Sequence, residues 1–324
     1  MKKIRTTNAL MKYLRDIKGV DINGGREKNV LLNIGYYHAY KGCRFYNEKG
    51  NDFNLSKFSQ LEAIYNFDAQ TKALIYPHIM FIETALKNRM LQNIVEYGRS
   101  EKFADLFESC FNGHNDFPSS NPTHNKLSKK RAELKAKIYN DLARNYDHRI
   151  IGHFYKKDTQ VPVWALFEIL TLGDFSRLYE CLNKQLRLII SEELKVNKTL
   201  DSDGYTLKVA ISALKDLRNS IAHNNFIYDN RFKRANEVGF RLTRYFNIEC
   251  KIPNMNFQSI GDYIILIAYL LKLLKVPKTE IKKFVRNFKE LMDELYQNVD
   301  SLSIYNKIIP TDTFKKLQLF EKFL

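Results

Sequence analysis

The sequence is poor in cysteine: its 324 residues include only Cys43, Cys110, Cys181 and Cys250. They lie far apart and form no CxxC pair, which argues against a zinc ribbon and against a disulfide framework. Glycine and proline, 13 and 7 residues, are too few for an all-β sandwich with its frequent turns. Long apolar runs are missing too. The most hydrophobic stretch, YIILIAYLLKLLKV over residues 263–276, runs about ten residues before Lys272 interrupts it, half of what a membrane span needs. It reads as a buried helix. The opening MKKIRTTNALMKYL is basic but has neither a long apolar region nor a small-residue cleavage site, so no signal peptide is expected. The expectation is a cytoplasmic chain with reduced thiols and no membrane partner.

Acidic residues are the minority. Thirty-six Asp and Glu against 52 Lys and Arg leave a net charge of +16, while hydrophobic residues make up 44%. The second figure implies a packed protein rather than a disordered one. The first favours a polyanionic partner, nucleic acid ahead of a membrane surface.

Helical periodicity dominates what remains. Between residues 279 and 299 the apolar positions Ile281, Phe284, Val285, Phe288, Leu291, Met292 and Leu295 follow steps of three and four. Residues 55–97 read as two long helices and residues 125–146 as a charged one. Residues 161–181 read as a helix with Pro162 in its first turn. Residues 29–46 are left open between a short β segment and an irregular one. Breaks fall at 112–123, 196–204 and 247–256, with no repeat or low-complexity tract. The fold class is therefore all-α.

The stretch DLRNSIAHNN, residues 216–225, carries the main chemical signal. On a wheel over residues 205–222, Leu207, Ala210, Ile211, Leu214, Leu217 and Ile221 form one stripe, and Lys208, Ser212, Asp216, Asn219 and His223 lie opposite. Asn219 and His223 are four apart and share a face, with Arg218 at the edge of the stripe. That set suits metal-free RNA cleavage. RNA carries its own nucleophile, the 2′-OH; a histidine can move its proton at neutral pH; an arginine can hold charge developing on phosphorus. Spacing alone is a weak signal, and a helix-terminal histidine with a structural arginine is the plainer reading of it.

The wider context is more specific. LRNSIAHNN resembles the R-N-x3-H signature of HEPN-domain ribonucleases, an all-α class. NIGYYHAYKGCRFY (33–46), LEAIYNFDAQTKALIYPHIMFIETALKNRM (61–90), VPVWALFEILTLGDFSRLYECL (161–182) and then the motif running into FIYDNRF (226–232) resemble, in order, blocks of the Abi-like abortive-infection proteins of the AbiD and AbiF type. The family often has a bulkier residue or cysteine where Ser220 and Ile221 stand, and a second histidine where Asn224 stands. The resemblance implies Arg218 and His223 as catalytic with Asn219 between them, and RNA cleavage to a 2′,3′-cyclic phosphate and a 5′-hydroxyl. It implies a composite site across a homodimer and a toxin-like role in phage defence. Some relatives are restrained by a small RNA, which makes a cognate RNA a candidate partner. No cofactor is implied. The implied organisation is an N-terminal segment 1–50 packed on a HEPN-like helical bundle over 51–246, with a helical extension over 247–324, or all of these as one compact unit.

Other candidates are weaker. Glu83 and Glu168 sit in apolar helical runs, where a buried carboxylate needs a partner; one of them is a candidate to orient Arg218. Lys215, Arg231, Lys129, Lys130 and Arg131 are candidate phosphate contacts, against the plainer reading of a solvated helix face. Tyr36 and Tyr37, interleaved with Lys41 and Arg44, can stack bases and hold a backbone, or pack in the core. The remaining histidines, His38, His78, His114, His124, His148 and His153, lack metal-ligand spacing, and no metal site is expected. Two rivals to the enzyme stand: a non-catalytic RNA-binding module on the same fold, and a protein-interaction component of a toxin–antitoxin-like pair.

Overall fold

The three-and-four spacing of apolar residues becomes helix almost everywhere. The computed structural model describes residues 6–44, 52–229 and 237–324, and among these there are fifteen α-helices, one π-helix and one short 3-10 turn, with only isolated β-bridges. They run α1 (Thr7–Lys18), α2 (Gly24–Ile34), the π-helix (Gly35–Lys41), α3 (Phe58–Gly98), α4 (Phe103–Cys110) and the 3-10 turn (Gly113–Asp116). Then come α5 (Pro122–Arg144), α6 (Ile151–Lys156), α7 (Val163–Ile169), α8 (Leu172–Cys181), α9 (Lys184–Glu193) and α10 (Tyr205–Ala222). The chain closes with α11 (Glu237–Glu249), α12 (Ile260–Leu273), α13 (Lys278–Val299), α14 (Leu302–Ile308) and α15 (Thr313–Phe323).

Three expectations are corrected. The span 55–97, read as two helices, is occupied by the single 41-residue helix Phe58–Gly98, with Pro77 inside it; a proline removes one backbone hydrogen bond and kinks a helix, and here the surrounding turns carry the helix past it. Residues 161–181 split into α7 and α8, because Thr171 adopts an extended backbone and its side chain accepts from the Asp174 N–H, starting a new helix. Residues 29–43 of the segment left open between β and irregular structure are helical instead: α2 ends at Gly35, whose φ of 76° and ψ of 137° suit only glycine, and the chain rewinds as the π-helix; residues 45 and 46 lie outside the described ones. The tyrosines of this stretch favour strands by propensity, which masked the helical outcome.

The chain folds as two compact units that are not contiguous in sequence. Unit 1 comprises Met1–His78, Asp216–Lys272 and Val276–Leu324; unit 2 comprises Ile79–Lys215 with Leu273–Lys275. In unit 1, α12 is hydrophobic nearly all round and is buried from Ile260 to Leu271, as an all-apolar helix must be. Its one early carboxylate, Asp262, accepts from the backbone N–H groups of Asn256 and Phe257, both at 2.8 Å, and pairs with buried Lys316 at 3.2 Å. The amphipathic α13 buries Ile281, Phe284, Val285, Phe288, Met292, Leu295 and Val299. α14 and α15 pack against it.

In unit 2, α5 packs on the 3-10 turn and on α8. It starts at Asn121, whose side chain accepts from the Thr123 N–H, with Pro122 in the first turn. This unit also holds a buried arginine. Arg187 is only 1% exposed; it donates to the Asp203 and Leu182 carbonyls, pairs with Asp116 at 3.1 Å and lies over the Tyr205 ring.

No helix among the described residues is long and apolar enough to cross a membrane. The four cysteines are buried, and none forms a disulfide among the described residues.

Candidate functional site

The motif helix α10 buries Leu207, Ala210, Ile211, Leu214 and Leu217, as its apolar stripe requires. Asp216, placed on the polar side by the wheel, is buried as well. Arg218 and Asn219 are half-buried in the last turns, and His223 is exposed just beyond the helix end. The Arg218 guanidinium donates to Asn219 Oδ1 at 3.4 Å. Its Nε is buried and has no hydrogen-bond partner among the described residues.

The helix end is closed by backbone geometry. Asn224 sits in the left-handed region with φ of 54°. The Asn224 N–H donates to the Ile221 carbonyl at 2.9 Å and the Asn225 N–H to the Ser220 carbonyl at 2.8 Å. These two bonds form a Schellman-type C-cap with asparagine where glycine is commonest. His223 is the residue held between helix and cap. Its own N–H still donates to the Asn219 carbonyl at 3.0 Å, so the three motif residues are tied to a single helix terminus.

The chain leaving this cap is fastened at several points within unit 1. Asn224 Oδ1 accepts from Lys72 Nζ on α3 at 3.1 Å. Asn224 Nδ2 lies 3.2 Å from His38 Nε2 on the π-helix. The His38 ring stacks on Phe226 with centroids 5.4 Å apart and meets Tyr65 edge-on. Asp68, one turn before Lys72, accepts from the Ile227 N–H at 2.7 Å and the Tyr228 N–H at 3.2 Å. The Asp68 carboxyl is held above its ordinary range, chiefly because burial disfavours its charge, with Lys72 pulling the other way. The Tyr228 hydroxyl donates to the Cys43 carbonyl at 3.0 Å. Gly42 leaves room for Phe226; a Cβ there would lie 2.7 Å from its ring.

His38, Asp68, Lys72 and Asn224 were not picked out as site residues by the sequence. His38 figured there only as a histidine without metal-ligand spacing. Its one local signal is the left-handed glycine that starts the π-helix, since π turns gather at functional sites.

The weaker candidates separate. Tyr37 is 74% exposed, with Lys41 Nζ 4.9 Å from its ring centroid, while Tyr36 is half-buried and stacks on buried Tyr40. Arg44 pairs with Asp52 and lies over the Tyr40 ring. On α5, Lys129 is exposed. Lys130 reaches Glu180 at 2.5 Å, and Arg131 donates to the carbonyls of Phe111 and Phe107 and pairs with Glu108. Lys215 is half-buried. Arg231 lies outside the described residues.

Of the two candidate orienting carboxylates, Glu168 is the one at the surface. It is exposed, because the seven-residue α7 turns it outward on the same face as Trp164. Glu83 is buried, but its Oε1 is engaged by Lys87 one turn along, at 2.8 Å. The hydrogen bond of Arg218 goes to Asn219 of its own helix.

A family model described as Abi-like protein matches residues 29–229. That span is more than half of the 324 residues and contains the whole motif, and the chain belongs to this family. No curated protein and no solved structure matches the chain.

Proposed function

We propose that this member of the Abi-like family is a metal-independent endoribonuclease of the HEPN type, acting as an abortive-infection effector in phage defence. The observation that carries the reading is the terminus of α10. An exposed imidazole at the C-cap follows an arginine whose Nε is buried without a hydrogen-bond partner among the described residues. An under-satisfied buried donor calls for an explanation, and a bound phosphate oxygen supplies one.

The chemistry then follows from the residue types. His223 takes the proton from a ribose 2′-OH as general base. The 2′-oxygen attacks the adjacent phosphorus and the bond to the 5′-oxygen breaks. The leaving 5′-oxygen takes a proton from a histidine acting as acid. Arg218 stays charged throughout and offsets the negative charge that builds on the phosphoryl oxygens. Asn219, bonded to Arg218, holds the guanidinium or a phosphate oxygen in register. One protomer brings a single copy of this set, and a homodimer with two motifs facing each other supplies both base and acid. The substrate is RNA because DNA lacks the nucleophile, and the net charge of +16 draws the polyanion in. A small cognate RNA that restrains the activity fits the same surface chemistry.

The test is induced expression of the wild type beside Arg218→Ala and His223→Ala, with total RNA profiled for new 5′-hydroxyl ends. New ends in the wild type that vanish in both variants are expected. A well-expressed wild type that yields none, with or without phage challenge, overturns the enzyme in favour of a binding module.

A further inference from the structure

We infer that His38 is a second histidine of the Arg218–His223 site, a positioning residue that fixes, through Asn224, the turn presenting His223. The inference rests on the ribonuclease reading of that site.

The argument begins with the Asn224 amide. Its Oδ1 is 3.1 Å from Lys72 Nζ, and an ammonium can only donate. The oxygen must therefore face Lys72, which leaves the NH₂ facing His38 Nε2 at 3.2 Å. An amide NH₂ can only donate, so Nε2 must accept. The tautomer of His38 with its hydrogen on Nδ1 meets that bond. Lys72 cannot swing away freely, because it pairs with buried Asp68 at 2.6 Å. The chain of partners Asp68, Lys72, Asn224, His38 has one consistent set of proton positions.

Asn224 is also the left-handed residue that closes α10, directly after His223. Its backbone sets where the helix ends, and its side chain sets how the exit strand is held. The ring at the far end of the chain is fixed by stacking on Phe226 and by Tyr65 at its edge.

The full chain is assayed on a single-stranded RNA for 5′-hydroxyl ends across pH, as wild type, Asn224→Gly, His38→Gln, His38→Ala and His223→Ala. Glycine at 224 keeps the left-handed cap and removes only the side-chain tether. Expected are an unchanged unfolding midpoint and RNA affinity, and a rate down by about tenfold or more, as misplacement of a reacting group implies. His38→Ala should fall likewise, and His38→Gln, which keeps an acceptor near Nε2, should recover most of the rate. Asn224→Gly cleaving at the wild-type rate overturns the inference.

If the wild type cuts no RNA while the chain is folded, the ribonuclease reading fails by itself. Nitrogen NMR of the imidazoles then decides the tether. The Nδ1–H tautomer at His38, lost in Asn224→Gly together with a changed His223 signal, supports it. An Nε2–H tautomer, or an unmoved His223 signal, overturns it.

Discussion

The Asp68 carboxylate lies 2.6 Å from Lys72 Nζ, one turn along the same helix, and both side chains are buried. A pair of this kind is costly to break from one side, because the survivor is left charged without a partner. Lys72→Met should destabilise the chain by about 3–5 kcal/mol on that ground. The pH dependence has a definite sign. The folded-state pKa of Asp68 is already raised by burial. Its contribution is therefore fully present below the unfolded-state value and lost as pH rises through the folded one. Without Lys72 that loss should steepen. Urea unfolding of both proteins at several pH values checks it, and a deficit that does not grow with pH counts against the account.

Arg187 should tolerate no replacement. Its guanidinium satisfies two backbone carbonyls and Asp116 at once while stacking on Tyr205. A lysine keeps the charge but cannot reproduce the planar fork. We expect Arg187→Lys to lose about 2–4 kcal/mol, on the scale of a broken buried network. Chemical denaturation of unit 2, followed through Trp164 fluorescence, reads it out.

At Gly42 the issue is space. A Cβ at 2.7 Å from the Phe226 ring forces the ring to move, and overpacking of this size costs about 1–3 kcal/mol. Gly42→Ala should also shift the His38 ring protons, since Phe226 stacks on that imidazole. A stability loss with unmoved His38 signals would mean that the strain is absorbed elsewhere.

Tyr37 and Lys41 allow stacking to be separated from charge in RNA binding. Lys41→Ala should lower the slope of log affinity against log salt by about 0.7, the value for one phosphate on a single strand. Tyr37→Ala should weaken binding by about 1–3 kcal/mol per stacked base and leave the slope alone. Filter binding at several salt concentrations distinguishes these patterns. If neither variant changes affinity, the exposed ring and its lysine serve no RNA.

Much of this architecture was legible because period is local. The apolar residues read over 279–299 lie within α13, and those of 205–222 belong to α10. The break between α7 and α8 was written as Thr171 followed three residues later by Asp174, a capping pattern, and was passed over for the apolar run around it. The two helices read over residues 55–97 are one long helix, with Pro77 inside it. The polar centre was hidden for another reason. His38 and Asn224 are separated by 186 positions, and no spacing rule links residues so distant. Glu168 looked buried because its neighbours are apolar, but a seven-residue helix has room for an outward face.

The buried cysteines offer something more practical. Cys43 and Cys250 belong to unit 1, Cys110 and Cys181 to unit 2. Burial also pushes Cys110 upward, Cys181 up to about 12 and Cys250 higher still, so these thiols react little while the protein stays closed. Reaction with a thiol reagent must then wait for the surrounding structure to open. Each half of the molecule carries its own pair of built-in stopwatches, and the order in which they run down would reveal which half breathes first.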